Sequence, residues 1–85
     1  MNPYDIIFHP YVTEKSMMLM ENDNALQFVV NMKSNKKEIK EAAEKMFDVK
    51  AEKVSTRIGK NGKIAVVKLA PEYVAEDIGM RIGIF

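Results

Sequence analysis

The apolar and polar positions of this 85-residue chain divide it into short alternating elements. Ile6-Ile7-Phe8 is a β-prone run, and Pro10, lacking the N–H a central strand needs, predicts that the strand stops about there. Thr13 then reads as a helix N-cap. Its hydroxyl can accept a first-turn N–H, Glu14 suits the positive end of the helix dipole, and Val12 can staple onto Met17. This helix is expected to reach about Met20, before the turn-forming residues Glu21-Asn22-Asp23-Asn24. From Ala25 to Met32 the pattern alternates, with Leu26, Phe28, Val30 and Met32 on one face and Gln27, Val29 and Asn31 on the other, which predicts a strand.

Ser34-Asn35 ends that strand and opens a second helix. Asn35 as N-cap with Glu38 three residues on has the form of a capping box, and Ile39, Ala42, Ala43, Met46 and Phe47 make one helical stripe. Lys37/Glu41 and Glu41/Lys45 are expected to face each other on its solvent side. Val49 to Ile58 reads as a strand whose apolar parity changes near Glu52-Lys53, so a bulge belongs there. Gly59-Lys60-Asn61-Gly62 signals a hairpin, with Asn61-Gly62 expected to supply the positive-φ pair of a type I′ turn. The return strand, about Lys63 to Leu69, is apolar on both parities at Ile64-Ala65-Val66-Val67 and is therefore expected to be central. Pro71 opens a last short helical segment through Tyr73, Val74, Ile78 and Ile82, and Ile82-Gly83-Ile84-Phe85 is too apolar for a loose tail. The order β-α-β-α-β-β plus a short C-terminal helix predicts an α+β fold, an antiparallel four-stranded sheet with helices packed on it, as one domain over residues 1–85.

Charge changes this picture more than composition does. The net charge is +1, yet residues 33 to 68 hold eleven basic side chains against five acidic ones, while both flanking segments are acidic. Such a chain can present one positive face to a polyanion. Lys33, Asn35, Lys36, Lys37 and Lys40 gather at the start of the second helix. Lys53, Ser55 and Arg57 share one strand parity, and Lys60, Asn61 and Lys63 occupy the hairpin. Together these form a candidate phosphate-binding surface, to which Lys15 and His9 can add. No RNP aromatic pair, zinc finger or helix-turn-helix pattern selects DNA or RNA.

Candidate catalytic chemistry is sparse. There is no cysteine, His9 is the only histidine and stands beside Pro10, and neither G-x-x-x-x-G-K-[ST] nor G-x-G-x-x-G occurs. The two arginines, Arg57 and Arg81, lie outside any glycine-rich anion loop, which argues against an acylphosphatase-like enzyme. No metal-ligand spacing is present, so neither a metal nor a cofactor is expected. Of the seven methionines, Met32 and Met46 sit at core parity and Met17, Met18 and Met20 ring the first helix, leaving the possibility that some face a partner. No apolar run reaches the length of a membrane helix, and Met1-Asn2-Pro3-Tyr4-Asp5 does not have the form of a signal peptide, so a cytoplasmic protein is expected.

Several ordered blocks carry a resemblance. Ile7-Phe8-His9-Pro10-Tyr11-Val12-Thr13-Glu14-Lys15-Ser16, Asn35-Lys36-Lys37-Glu38-Ile39, Met46-Phe47-Asp48-Val49, Lys53-Val54-Ser55-Thr56, Leu69-Ala70-Pro71-Glu72-Tyr73 and Arg81-Ile82-Gly83-Ile84-Phe85 together resemble the large-subunit ribosomal protein twenty-three family, the last block its archaeal and eukaryotic branch. The resemblance implies a non-enzymatic protein of the large ribosomal subunit that binds rRNA beside the polypeptide exit site, next to other ribosomal proteins, and that is monomeric in isolation. It also implies that Val12, Thr13, Glu14 and Asp48 form a docking surface for signal recognition particle or chaperone-type factors. Asn35, Lys36 and the Lys53 to Arg57 strand would face rRNA. Two departures stand out: Ser55 replaces the family's usual asparagine, and the Gly59–Gly62 turn is minimal where bacterial relatives carry a long loop. The residue pattern alone also admits a stand-alone protein-interaction module and, after it, a small phosphatase-like enzyme.

Overall fold

The computed structural model describes residues 2–84; Met1 and Phe85, which belong to the expected start and apolar ending, lie outside them. Four strands form one antiparallel sheet in the order β1-β2-β4-β3, where β1 is Ile7–Pro10, β2 is Ala25–Val30, β3 is Ala51–Gly59 and β4 is Gly62–Leu69. Helices α1 (Glu14–Asp23), α2 (Lys36–Phe47) and α3 (Ala75–Arg81) complete the α+β fold. Because β4 inserts between β2 and β3, those two strands run parallel and α2 crosses the sheet to join them. That crossing lays the stripe Ile39, Ala42, Ala43 and Phe47 over Leu26, Phe28, Val30, Val54, Ala65, Val67 and Leu69. The Phe28 and Phe47 rings stack with centroids 5.2 Å apart, a contact contributing about 1 kcal/mol beyond its buried area.

The local chemistry fixes the ends of these elements. Thr13 caps α1 as expected, but its partner in the box is Ser16: the Ser16 N–H donates to Thr13 Oγ1 at 3.0 Å, and the Thr13 N–H donates to Ser16 Oγ at 2.7 Å. A polar box thus closes this terminus, and Val12 is left 50% exposed. The α1 helix continues three residues past Met20 because one left-handed residue suffices to end it, and Asn24, at φ 54°, supplies it. Asn35 and Glu38 form the expected reciprocal box on α2, at 2.8 and 3.0 Å. The expected bulge appears as a register shift between Ala51 and Lys53.

Three expectations need correction. Met32 lies beyond the end of β2, in a turn, and is 57% exposed instead of in the core. The hairpin loop is Lys60-Asn61, neither of which has positive φ, and Gly62 alone takes φ 101°, so the turn is not type I′. Glycine accepts that conformation without the steric cost a side chain would add. The α3 helix begins at Ala75, not at Pro71, because Ala70 to Tyr73 closes a turn first. One further element, a 3-10 turn over Pro3–Asp5 capped by Asn2, precedes β1, with Pro3 at its first position. Toward the other end, Ile82 and Ile84 pack against the core.

Val74, the N-cap of α3, offers no side-chain acceptor. Asn24 substitutes from a distance: its Oδ1 accepts from the Ala75 N–H and its Nδ2 donates to the Tyr73 carbonyl, both at 2.7 Å. One residue therefore ends α1 with its backbone and, with its side chain, starts α3 and joins the two. Asn24→Ala, which removes both bonds and leaves alanine in a left-handed conformation, is expected to cost about 2–4 kcal/mol by urea unfolding. Asn24→Asp keeps the acceptor for Ala75 and is expected to lose less.

Candidate nucleic-acid interface

The strand register defines a second sheet face, opposite α2. Its rows run His9, Val29, Ile64, Arg57; then Gln27, Val66, Ser55; then Ala25, Lys68, Lys53. Ala25, Val29 and Ile64 are buried yet stand apart from the main core cluster, so something other than α2 covers them. Long polar side chains cross this face. From the edge strand β3, the Arg57 Nη2 donates to Gln27 Oε1 on β2 at 3.1 Å, and to reach it the side chain must cross β4. Its guanidinium carbon lies 5.7 Å from the centroid of the Tyr11 ring, just beyond β1, where the Tyr11 N–H donates to the Gln27 carbonyl. Arg57 thus spans the sheet almost from edge to edge.

The candidate residues Lys53, Ser55 and Arg57 share this face and are all exposed. Lys68 joins them; its ammonium is 3.9 Å from Glu52, and with both side chains about half exposed the pair contributes little, leaving the charge available. It is the one ion pair among the described residues, so the Lys37/Glu41 and Glu41/Lys45 pairs expected along α2 are not closed. His9 lies on the same face at the opposite edge, its Nδ1 3.0 Å from the Pro10 carbonyl oxygen.

A second group collects at the hairpin end of the sheet. Lys63 reaches across and donates to the Ser34 carbonyl, tying the hairpin base to the segment that leads into α2. Lys33, Lys36, Lys37 and Lys40 therefore share an end of the molecule with Lys60 and Asn61, and all six are exposed. Two polar candidates already have local duties here: the Asn35 side chain caps α2, and the Lys63 ammonium is engaged with Ser34. The N-terminal N–H groups of α2 add a positive dipole end to the lysines.

The docking candidates lie toward the other end. Tyr11 is opposite Gln27, so Val12, Thr13 and Glu14 continue toward the Ala25 end of the sheet, and Lys15 goes with them, away from the hairpin lysines. Asp48, the left-handed C-cap of α2 at φ 54°, leads into β3 at its Ala51 end, which the register places at that same end. Between β1 and the C-terminal ends of α2 and α3 lies a groove of about 330 Å³ lined partly by Tyr4, Phe8, Pro10, Met46 and Phe47. Tyr4 and Phe8 are 71% and 54% exposed, and Met18, Met32 and Met80 are exposed as well.

Tyr11, Gln27 and Lys68 are not among the site residues that the sequence pattern singles out. Gln27 carried a signal, a polar residue at the outer parity of an otherwise apolar strand, but its contact with a residue thirty positions away is not legible in the pattern. No group of three or more potential metal ligands occurs among the described residues, and no helix there is long and apolar enough to cross a membrane.

Among known proteins, the family model described as Ribosomal protein L23 matches residues 5–76. The chain is 50% identical over 86 residues to "Large ribosomal subunit protein uL23" of Methanothermobacter thermautotrophicus, covering all of both chains. It is 48% identical over 81 residues to the protein of the same name from Picrophilus torridus, covering 95% of this chain and 99% of that one. Both relatives are archaeal.

Proposed function

The chain belongs to the ribosomal protein L23 family, in its archaeal form, and on that premise we propose that this constituent of the large ribosomal subunit binds large-subunit rRNA near the polypeptide exit site. The observation that carries the proposal is the sheet face opposite α2, where Lys53, Arg57 and Lys68 stand exposed around an apolar strip. The lysines at the start of α2 and in the hairpin extend that surface round one end of the sheet. Contacts of this kind position a prefolded domain, residues 1–85 as a whole, on folded RNA through phosphates and shape; base edges need not be read. The role is non-catalytic and needs no cofactor.

The opposite end is the docking surface. There Glu14 and Asp48 set carboxylates beside Lys15 and Lys50, a mixed-charge surface that suits a protein partner better than a polyphosphate. The partners are neighbouring ribosomal proteins at the exit site and signal recognition particle or chaperone-type factors that meet the nascent chain. The chain is a monomer until it assembles into the cytoplasmic ribosome. A stand-alone protein-interaction module is the second reading, favoured by the groove beside Tyr4 and Phe8. Co-sedimentation with large subunits in low-salt buffer separates the two: stoichiometric recovery with the subunit supports the ribosomal reading, and absence from the subunit fraction supports the module.

Affinity for a transcribed fragment of archaeal large-subunit rRNA is expected to fall by orders of magnitude between roughly 50 and 200 mM salt. Lys36→Glu combined with Lys53→Glu is expected to weaken binding at least about tenfold with an unchanged circular dichroism spectrum. A flat salt response would contradict phosphate-dominated binding. Glu14→Lys is expected to reduce factor recruitment to assembled subunits while leaving rRNA affinity intact; the reverse pattern would overturn the division of surfaces.

A further inference from the structure

Arg57 is held in place before any ligand arrives. Gln27, which fixes it from one side, is 3% exposed, and Tyr11, whose ring faces it from the other, is half-buried. A buried amide has few orientations open to it, and a guanidinium tied to that amide and faced by an aromatic ring has lost most of its rotamer freedom in advance. Neither partner neutralises the charge. Gln27 and Tyr11 are uncharged side chains, and the one ion pair among the described residues involves Lys68 and Glu52. An acidic residue at position 27 would have oriented Arg57 equally well but cancelled it.

Arg57 itself remains exposed. Its guanidinium has five N–H donors, and one is committed to Gln27. The remaining donors, in a fixed plane, suit the paired oxygens of a phosphate. Ser55 and Lys53 follow on the same side of β3, able to supply a hydroxyl and a second cation along a backbone running with the strand. We propose that Tyr11, Gln27 and Arg57 form a preorganised subsite for one phosphate of an RNA backbone, with Arg57 as the binding group and Gln27 and Tyr11 as its positioning residues. This rests on the rRNA-binding reading and specifies how one part of that surface works.

The test is a double-mutant cycle between positions 27 and 57, read as affinity for the archaeal large-subunit rRNA transcript at several salt concentrations. Arg57→Lys keeps the charge but loses the planar fork, and is expected to bind about tenfold more weakly. Gln27→Met removes the orienting acceptor at similar volume and is expected to weaken binding several-fold with an unchanged salt slope, because the phosphate contacts persist but are no longer prepaid. In an Arg57→Ala background, Gln27→Met is expected to have no further effect. An equal loss in both backgrounds would make Gln27 merely structural and overturn the proposal, as would wild-type affinity in Arg57→Lys. Tyr11→Leu, altering a less buried position, gives the same cycle if Gln27→Met unfolds. A wild-type chain that fails to bind the transcript overturns the rRNA reading and this subsite with it, whereas normal binding unmoved by the variants overturns the subsite alone.

Discussion

A central strand has two faces, and both must be kept from water where they are apolar. Here β2 and β4 are central, and their apolar residues fall on both parities. The α2 crossover covers one face, with Phe47, its last residue, stacked on Phe28. Residues of α1 and α3 join that same core, and across the other face Arg57 reaches over β4 to Gln27 and the Tyr11 ring. Charged groups can cover an apolar strip with their stems while keeping their heads in solvent. The same residues that protect the sheet thereby display cations across it, and a structural need supplies the surface proposed to bind RNA.

The topology also separates the two candidate surfaces along the strands. The β3–β4 hairpin and the start of α2 meet at one end, joined by Lys63 and Ser34, and gather the basic side chains. The start of α1 and the end of α2 emerge at the other end with Glu14 and Asp48. A small domain with nearly neutral total charge can in this way attach to a polyanion by one end and one face and remain approachable by proteins at the other. Asn24 matters to this arrangement because it couples α1 to α3 across the Ala25 end, holding that end of the domain together through two hydrogen bonds.

Much of this fold could be read from residue pattern, wherever the cause is local. Thr13 and Asn35 as caps, the stripe on α2, the bulge before Lys53 and the central position of β4 each follow from spacing within a few residues. The expectations that needed correction depend on what lies further away or on backbone detail. Met32 has core parity, but β2 stops at Val30, so that parity no longer applies to it. Ala75 begins α3 with an acceptor supplied from Asn24, fifty-one positions earlier. The hairpin residues were identified but their φ values were not, because Gly62 can follow either turn. At the candidate interface, the basic residues were legible as charge and the family blocks as resemblance. The fixation of Arg57 by Gln27 and Tyr11 was not, since it is created only when β1, β2 and β3 come together around β4.

The central claim is that the sheet face opposite α2 and the hairpin end meet rRNA while the Asp48 end stays open. Lysine acylation of the free chain compared with the chain in assembled large subunits addresses it most directly. Lys36, Lys53 and Lys60, all exposed in the isolated chain, are predicted to become protected in the subunit, and Lys50, exposed beside Asp48, to stay reactive. Equal labelling of Lys53 and Lys60 in both states, with protection confined to Lys50, would contradict the claim.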